Sequence, residues 1–179
     1  MLNHCRLLAG YNLKMNRQVY QAASALDEAA LNSDEGAYFG SVLGTLNHIL
    51  VGDLIWLGRF AAHSERYTSL AALAELPRPE QLRQILYPQF AALASARKLV
   101  DEAIVLWTAE ELVAADLDQP LAYKNVKSEA SIRDFGALVM HFFNHQTHHR
   151  GQVSTLLSQR GIDIGCTDFL VHIPLLDSL

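Results

Sequence analysis

The sequence His141-Phe-Phe-Asn-His145-Gln-Thr-His148-His149-Arg-Gly-Gln152 holds four of the eight histidines of the chain. No proline interrupts residues 131–160, and apolar residues recur there every three or four positions. This pattern predicts one long helix from Ser131 to Arg160 that ends at Gly161. On that helix His145 and His149 are four residues apart and share one face. Two imidazoles one turn apart can hold one divalent cation, and a stable site needs at least a third ligand.

A third ligand is available on another predicted helix, which runs from Ser41 to Ala62 and is apolar on nearly all sides. His48 lies within it, and an unpaired imidazole in such surroundings would be costly to desolvate. Its partner is either a backbone or carboxylate group or a metal ion. If this helix neighbours the final helix, His48 can complete a site with His145 and His149. Three imidazoles would leave coordination positions open for water or substrate.

The remaining pattern predicts an all-α four-helix bundle that forms a single domain over residues 1–179. Its other two helices are expected from about Cys5 to Ala29 and from Pro88 to about Glu110. Residues 112–128 lack helical periodicity, so we expect a short irregular or two-strand insertion before the last helix. In that insertion Leu121, Tyr123 and Asn125 alternate with Ala122, Lys124 and Val126. The tail from Ile162 to Leu179 is apolar enough to pack against the body.

Composition argues against several classes of protein. The net charge of -5 and the lack of a basic stripe argue against binding of nucleic acid. No run of about 18 apolar residues predicts a transmembrane helix, and the N-terminal residues do not resemble a signal peptide. Cys5 and Cys166 form no Cys-x-x-Cys motif. We therefore expect a cytoplasmic protein with two free, buried thiols.

Two histidine-bearing segments resemble the DinB superfamily of damage-inducible bacterial proteins. They are Asn144-His-Gln-Thr-His-His-Arg-Gly-Gln152 and Leu46-Asn-His-Ile-Leu-Val-Gly-Asp-Leu-Ile-Trp-Leu57, and the resemblance extends to Tyr11-Asn-Leu-Lys-Met-Asn16 and Gly161-Ile-Asp-Ile-Gly-Cys-Thr-Asp168. It spans nearly the whole chain and implies a four-helix bundle with a metal site made by His48, His145 and His149. It also implies a homodimer, which agrees with a second helix that is apolar on all sides.

The resemblance leaves two functions open. Some relatives are metal-dependent thiol S-transferases or isomerases that use a low-molecular-weight thiol. A related isomerase group has Glu where this chain has His145, so we do not expect isomerase activity to transfer directly. In an enzyme, a divalent ion would make a thiolate, or activate water, for attack on a small electrophile. Tyr123, His141 and His148 are its candidate acid–base groups. The alternative is a non-catalytic, stress-related protein that binds a metal or another ligand.

Other details stay open at this stage. Three imidazoles do not rank Zn, Ni, Fe and Mn, because affinity and cellular supply both matter. Asp53 and Arg59 either support the site or form a solvated edge. Arg150 and Gln152 contact substrate, a partner subunit or only the backbone, with a structural ion pair favoured for Arg150. Glu-x-x-His pairs and the motif His-Glu-x-x-His are absent from the sequence, which argues against a di-iron carboxylate protein and a zinc protease.

Overall fold

A computed structural model describes residues 1–125 and 128–175, and this part of the chain is mostly helical. The helices are α1 (Leu2–Ala23), α2 (Glu28–Asn32), α3 (Val42–Ala61), α4 (Thr68–Ala71), α5 (Phe90–Leu106) and α6 (Phe135–Gln159). The strands are β1 (Pro120–Lys124) and β2 (Ala130–Asp134), and they pair in antiparallel fashion. Single turns of 3-10 helix cover Ala72–Glu75, Ala114–Asp118 and Phe169–His172, and a π-helical turn at Trp107–Glu111 ends α5.

The first helix is shorter than the predicted span from Cys5 to Ala29, because a capping residue divides that span. The side chain of Asp27 accepts a hydrogen bond from the backbone nitrogen of Ala30 at 2.8 Å. It thereby starts the separate helix α2. The start of α3 agrees with the prediction, because the hydroxyl of Ser41 accepts from the nitrogen of Gly44 at 3.0 Å.

The predicted two-strand insertion is confirmed, but the start of the final helix was predicted four residues too early. Ser131 does not cap that helix, since it pairs with Tyr123 in the two-stranded sheet. The cap is Asp134, whose Oδ1 accepts from the nitrogen of Ala137 at 2.6 Å. Val126, part of the predicted alternation, lies outside the described residues. The far end agrees with the prediction, since Gly161 has the positive φ of +74° that suits a residue after a helix.

Helix α3 lies at the centre of the described structure. Every residue from Val42 to Asp53 is buried, as the apolar sequence of this helix predicted. It packs against α6 and α5, while α1 packs against the same two helices. A cluster of aromatic rings formed by Phe60, Trp107 and Phe135 fills one end of the core. Because α3 packs against α6, the helices that carry His48 and His145 are neighbours, as a shared site requires.

The C-terminal segment contacts α1 between Ile164 and His172, but the expectation of a packed tail holds only in part, because Leu175, the last described residue, is 97% exposed. The hydroxyl of Tyr11 donates to the backbone oxygen of Thr167 at 2.6 Å, and its ring meets that of Phe169 at 4.9 Å. The rest of the predicted tail, residues 176–179, lies outside the described residues. Cys5 is buried, but the prediction for Cys166 was wrong, because this thiol is exposed in the tail. None of the described helices is long and apolar enough to cross a membrane.

Candidate metal centre

Three histidines from two helices converge at the interface of α3 and α6. His48 on α3 meets His145 and His149 on α6, and one nitrogen from each ring lies within 4.8 Å of the others. The ring centroids are 4.5 Å apart for His48 and His149 and 4.4 Å apart for His145 and His149. The structure thus brings together all three residues that the sequence named as ligands.

Hydrogen bonds on the outer nitrogens orient two of these rings. Nδ1 of His48 lies 2.9 Å from the backbone oxygen of Leu82, which can only accept, so this nitrogen carries the proton. Nδ1 of His149 lies 2.8 Å from Oε1 of Gln152. The amide nitrogen of that glutamine faces Nε2 of His148 at 3.4 Å, which agrees with Oε1 facing His149. In the neutral rings, the Nε2 atoms of His48 and His149 are therefore both bare lone pairs.

The two Nε2 atoms lie 3.2 Å apart, with their lone pairs facing each other. A proton between them would require one doubly protonated ring, but burial lowers the pKa of both His48 and His149. A cation between the two nitrogens removes the repulsion without protonating either ring. Two nitrogens that bind one tetrahedral zinc ion at about 2.0–2.1 Å lie about 3.3 Å apart. The spacing and orientation of the rings therefore fit a shared metal ion.

The ring of His145 fits beside α3 only because residue 52 is a glycine. A Cβ at Gly52 would lie 2.7 Å from Cε1 of His145, closer than real side chains approach. Among the described residues, no hydrogen-bond partner occupies the nitrogens of this ring. Burial, followed by the charges of the neighbouring histidines, lowers the pKa of His145 to about 3. It is therefore neutral at physiological pH, which is the state that binds a metal.

Two irregular segments cover the cluster and were not anticipated from the sequence. The ring of Phe39 stacks on that of His48 at a centroid distance of 3.8 Å. The segment that supplies the oxygen of Leu82 is anchored by Asn47, whose side chain exchanges two hydrogen bonds with the backbone of Tyr87, at 2.9 and 3.0 Å. Asn47 could have indicated from the sequence that another segment packs here, because a buried amide in an apolar helix needs hydrogen-bond partners.

Asp53 belongs to a buried polar network that lies behind the histidines. Its carboxylate accepts from Gln146 at 2.8 Å and forms an ion pair with Arg97, which also contacts Asp101 at 3.0 Å. Asp101 in turn accepts from Asn16 on α1 at 2.8 Å. The network joins all four long helices. Asp53 is therefore not part of a solvated edge, and its bond with Gln146, the neighbour of His145, is consistent with support of the site.

The other residues of the predicted site have separate positions. Arg150 is buried and donates to the side chains of Asn12 on α1 and Thr147, so its role is structural, but its partners in the described structure are neutral groups and not the expected ion pair. His141 is exposed one turn before the cluster, and its ring meets that of Trp56 at 5.3 Å. The guanidinium of Arg59 stacks over Trp56 and over Tyr123, at 4.6 and 4.8 Å from their ring centroids.

Comparison with known proteins places nearly the whole chain in one family. The model of the DinB family matches residues 1–174, a range that contains all three clustered histidines. Protein DinB of Bacillus subtilis (strain 168) is 24% identical over 163 residues, which cover 91% of this chain and 90% of that protein. No solved structure matches the chain significantly. The extent of the family match shows that this chain belongs to the DinB family.

Proposed function

We propose that this protein binds one divalent metal ion through His48, His145 and His149. The observation that carries the proposal is the pair of bare Nε2 atoms, 3.2 Å apart, which hydrogen bonds on the opposite ring nitrogens hold in place. Metal-binding histidines commonly donate their second nitrogen in this way, which fixes the tautomer and the ring orientation. Three protein ligands leave at least one coordination position for water or a small molecule.

We further propose that the site is that of a metal-dependent thiol S-transferase or a hydrolase acting on a small electrophile. A divalent ion there would lower the pKa of a bound low-molecular-weight thiol or water. The donor set supports this proposal, because three imidazoles with an open position are typical of catalytic zinc sites. Zn, Ni, Fe and Mn are all compatible with three imidazoles.

The competing function is that of a non-catalytic, stress-related metal- or ligand-binding protein. One observation favours it: among the described residues no carboxylate joins the three clustered histidines, and Asp53 is fully buried in its network with Arg97 and Gln146. Any acid–base chemistry would then fall to Tyr123, His141 or His148. His148 is exposed and contacts Gln152, which also orients His149.

The packing of the long helices supports the proposed architecture, but it does not bear on the proposed assembly. The packing of α1 and α3 against both α5 and α6 supports a four-helix bundle that forms one domain. A homodimer and a cytoplasmic location stay predictions from the sequence. Light scattering on the purified protein tests the homodimer, since a mass near that of one chain would contradict it.

Elemental analysis of the untagged protein tests metal binding. We expect nearly one equivalent of metal in the wild type and loss of that metal in His48→Ala, His145→Ala and His149→Ala. His141→Ala is the matched control, because this exposed residue lies one turn away on the same helix and should keep the metal. Circular dichroism would verify that each variant folds. A wild type that is empty and binds no added Zn, Ni or Mn would overturn the proposal.

An assay of thiols with a chromogenic electrophile separates the two functions. Metal-dependent turnover that disappears in His149→Ala would support the transferase. If the metal-loaded protein shows no turnover across the thiol panel or in hydrolysis, the non-catalytic function is favoured.

A further inference from the structure

A cavity of about 210 Å³ lies between α1, α6 and the C-terminal segment. Met15 and Val19 form part of its α1 wall, Arg150 and Gly151 part of its α6 wall, and Ile164 belongs to the segment that covers it. Pockets for drug-sized ligands measure about 300–1,000 Å³, so this cavity suits a smaller molecule. It lies on the side of α6 that faces α1, whereas the histidine cluster lies between α6 and α3.

The charge in this cavity belongs to Arg150, which is only 6% exposed. Its Nη1 donates to the side-chain oxygens of Asn12 and Asn16, and its Nη2 donates to the hydroxyl of Thr147 at 3.2 Å. Among the described residues, no carboxylate forms an ion pair with this guanidinium. Buried charges are usually paired with an opposite charge, so the surroundings of Arg150 are unusual.

The other buried arginine of the network shows the contrast. Arg97 contacts both buried carboxylates, that of Asp53 and that of Asp101, the latter at 3.0 Å. Asp101 also accepts from the two asparagine side chains that Arg150 contacts, so Arg150 reaches a carboxylate only through these amides. The two arginines and two aspartates balance in charge, but the outer edge of Arg150 has no charged partner.

Two N–H groups of Arg150 remain for a ligand. Of the five on a guanidinium, the three hydrogen bonds use both on Nη1 and one on Nη2. Nε has no partner among the described residues, yet it is not sealed within the protein, so it faces open space. The ring of Tyr11, 5.7 Å from the guanidinium, and the hydroxyl of Thr147 both belong to cavity-lining residues. The edge formed by Nε and Nη2 therefore borders the cavity.

This edge of a guanidinium binds a carboxylate through two parallel hydrogen bonds. The hydroxyls of Tyr11, Ser154 and Thr147 already donate to backbone oxygens, at 2.6, 2.8 and 3.1 Å. A phosphate, which has more oxygens to satisfy, would therefore find few further donors. The side chains of Met15 and Val19 offer an apolar wall to the rest of the ligand.

We propose that this cavity binds a short aliphatic carboxylate, whose oxygens accept from Nε and Nη2 of Arg150 and whose chain packs against Met15 and Val19. The site goes beyond the proposed metal function and does not depend on it, because it uses the opposite interface of α6. A protein without metal would keep this site, and a protein without this site would keep the metal.

An NMR titration of the ¹⁵N-labelled full chain tests the proposal. A chelator keeps metal away from the histidine cluster, and the ligands are butyrate and its neutral counterpart butyramide. We expect butyrate to shift the amide signals of residues around the cavity, to saturate, and to bind about tenfold more tightly than butyramide, as one charge-assisted hydrogen bond predicts. Equal binding of acid and amide overturns the proposal, and so do shifts that do not saturate.

The length of the acid tests the apolar wall. From acetate through propionate to butyrate the affinity should rise about fourfold with each buried methylene group. Equal affinity for acetate and butyrate would overturn the aliphatic class. Inorganic phosphate that binds as tightly as butyrate would overturn it as well.

A pair of glycine variants assigns the binding to the cavity. Gly151 and Gly10 are both exposed helical residues, and a Cβ at either position meets nothing within 4 Å. Gly151→Leu places a side chain in the cavity and leaves the bonds of Arg150 intact, so it should weaken butyrate binding at least tenfold. Gly10→Leu, which lies outside the cavity, should bind like the wild type. Unchanged binding by Gly151→Leu overturns the proposal.

Arg150→Gln tests the guanidinium itself. It should bind butyrate no better than butyramide, and a preference for the acid that survives in this variant overturns the role of Arg150. Circular dichroism verifies its fold, because the substitution also removes the bonds to Asn12 and Asn16. If the variant does not fold, the result with Gly151→Leu decides.

Discussion

Replacing Gly52 by alanine should weaken metal binding without unfolding the protein. The added Cβ would lie 2.7 Å from Cε1 and 3.3 Å from Nδ1 of His145, whereas ordinary contacts begin at 3.4 Å, so the ring must move by about 0.7 Å. Metal–ligand distances tolerate only about 0.2 Å. We therefore expect the affinity for zinc to fall about tenfold to hundredfold, the range seen when the support of a ligand is disturbed.

Gly58→Ala is the matched control on the same helix. A Cβ at Gly58 meets nothing within 4 Å, and the residue is exposed. Both substitutions gain the helix propensity of alanine, which stabilises a helix interior by about 0.5–1 kcal/mol. Gly58→Ala should therefore unfold at a higher temperature and bind zinc like the wild type. The difference between the variants isolates the contact of Gly52 with His145.

Competition with a chromogenic chelator measures the zinc affinity, and thermal unfolding of the metal-free proteins measures stability. If Gly52→Ala binds zinc within about twofold of Gly58→Ala, a factor worth only about 0.4 kcal/mol, the argument that this glycine makes room for a ligand is refuted. Comparable stability of the two metal-free variants would show that any loss of affinity is local to the site.

Three further results are expected. The unfolding free energy of metal-free protein should fall as the pH decreases from about 6.5 towards 3, since the unfolded chain takes up a proton that half-buried His145, with its pKa of about 3, excludes. Gln152→Ala should weaken zinc binding about tenfold, because Nδ1 of His149 loses its acceptor. Asp53→Ala should lower the unfolding free energy by about 3 kcal/mol in urea titrations, because Arg97 stays buried with one partner fewer.

Each of these results has its own control. His145→Gln should show a shallower loss of stability in acid than the wild type, and an identical pH profile would contradict the depressed pKa. Gln159→Ala, at the exposed end of α6, should bind zinc normally. Glu102→Ala removes an exposed pair with Lys98 at 3.9 Å and should cost less than about 1 kcal/mol. An equal cost for Asp53→Ala would show that the buried pair contributes little.

The sequence predicted those features of the site that depend on spacing within one helix. His145 and His149 share a face because they are four residues apart, and the apolar surroundings of His48 required a partner. The alternation around Tyr123 predicted the two-stranded sheet. Residues 131–134 were assigned to the wrong element, because Ser131 and Asp134 are both acceptable caps and only strand pairing distinguishes them.

The features of the site that the sequence did not predict depend on contacts between segments that are distant in the chain. The oxygen of Leu82 and the ring of Phe39 reach His48 from irregular segments that have no periodicity to follow. The pairing of Asp53 with Arg97 requires knowledge of which faces of α3 and α5 meet. Polar residues on apolar helices gave the signal that partners exist, but they did not identify those partners.

The histidines that meet at the cluster are far apart in the chain. His48 and His149 are separated by 101 positions, so a shared ion would act as a cross-link that closes a long loop. An ion that binds only the folded chain adds about 2.7 kcal/mol of stability when its free concentration is a hundredfold above the dissociation constant. The lifetime of this protein in the cell would then follow the supply of its metal, with degradation removing the chains that lack it.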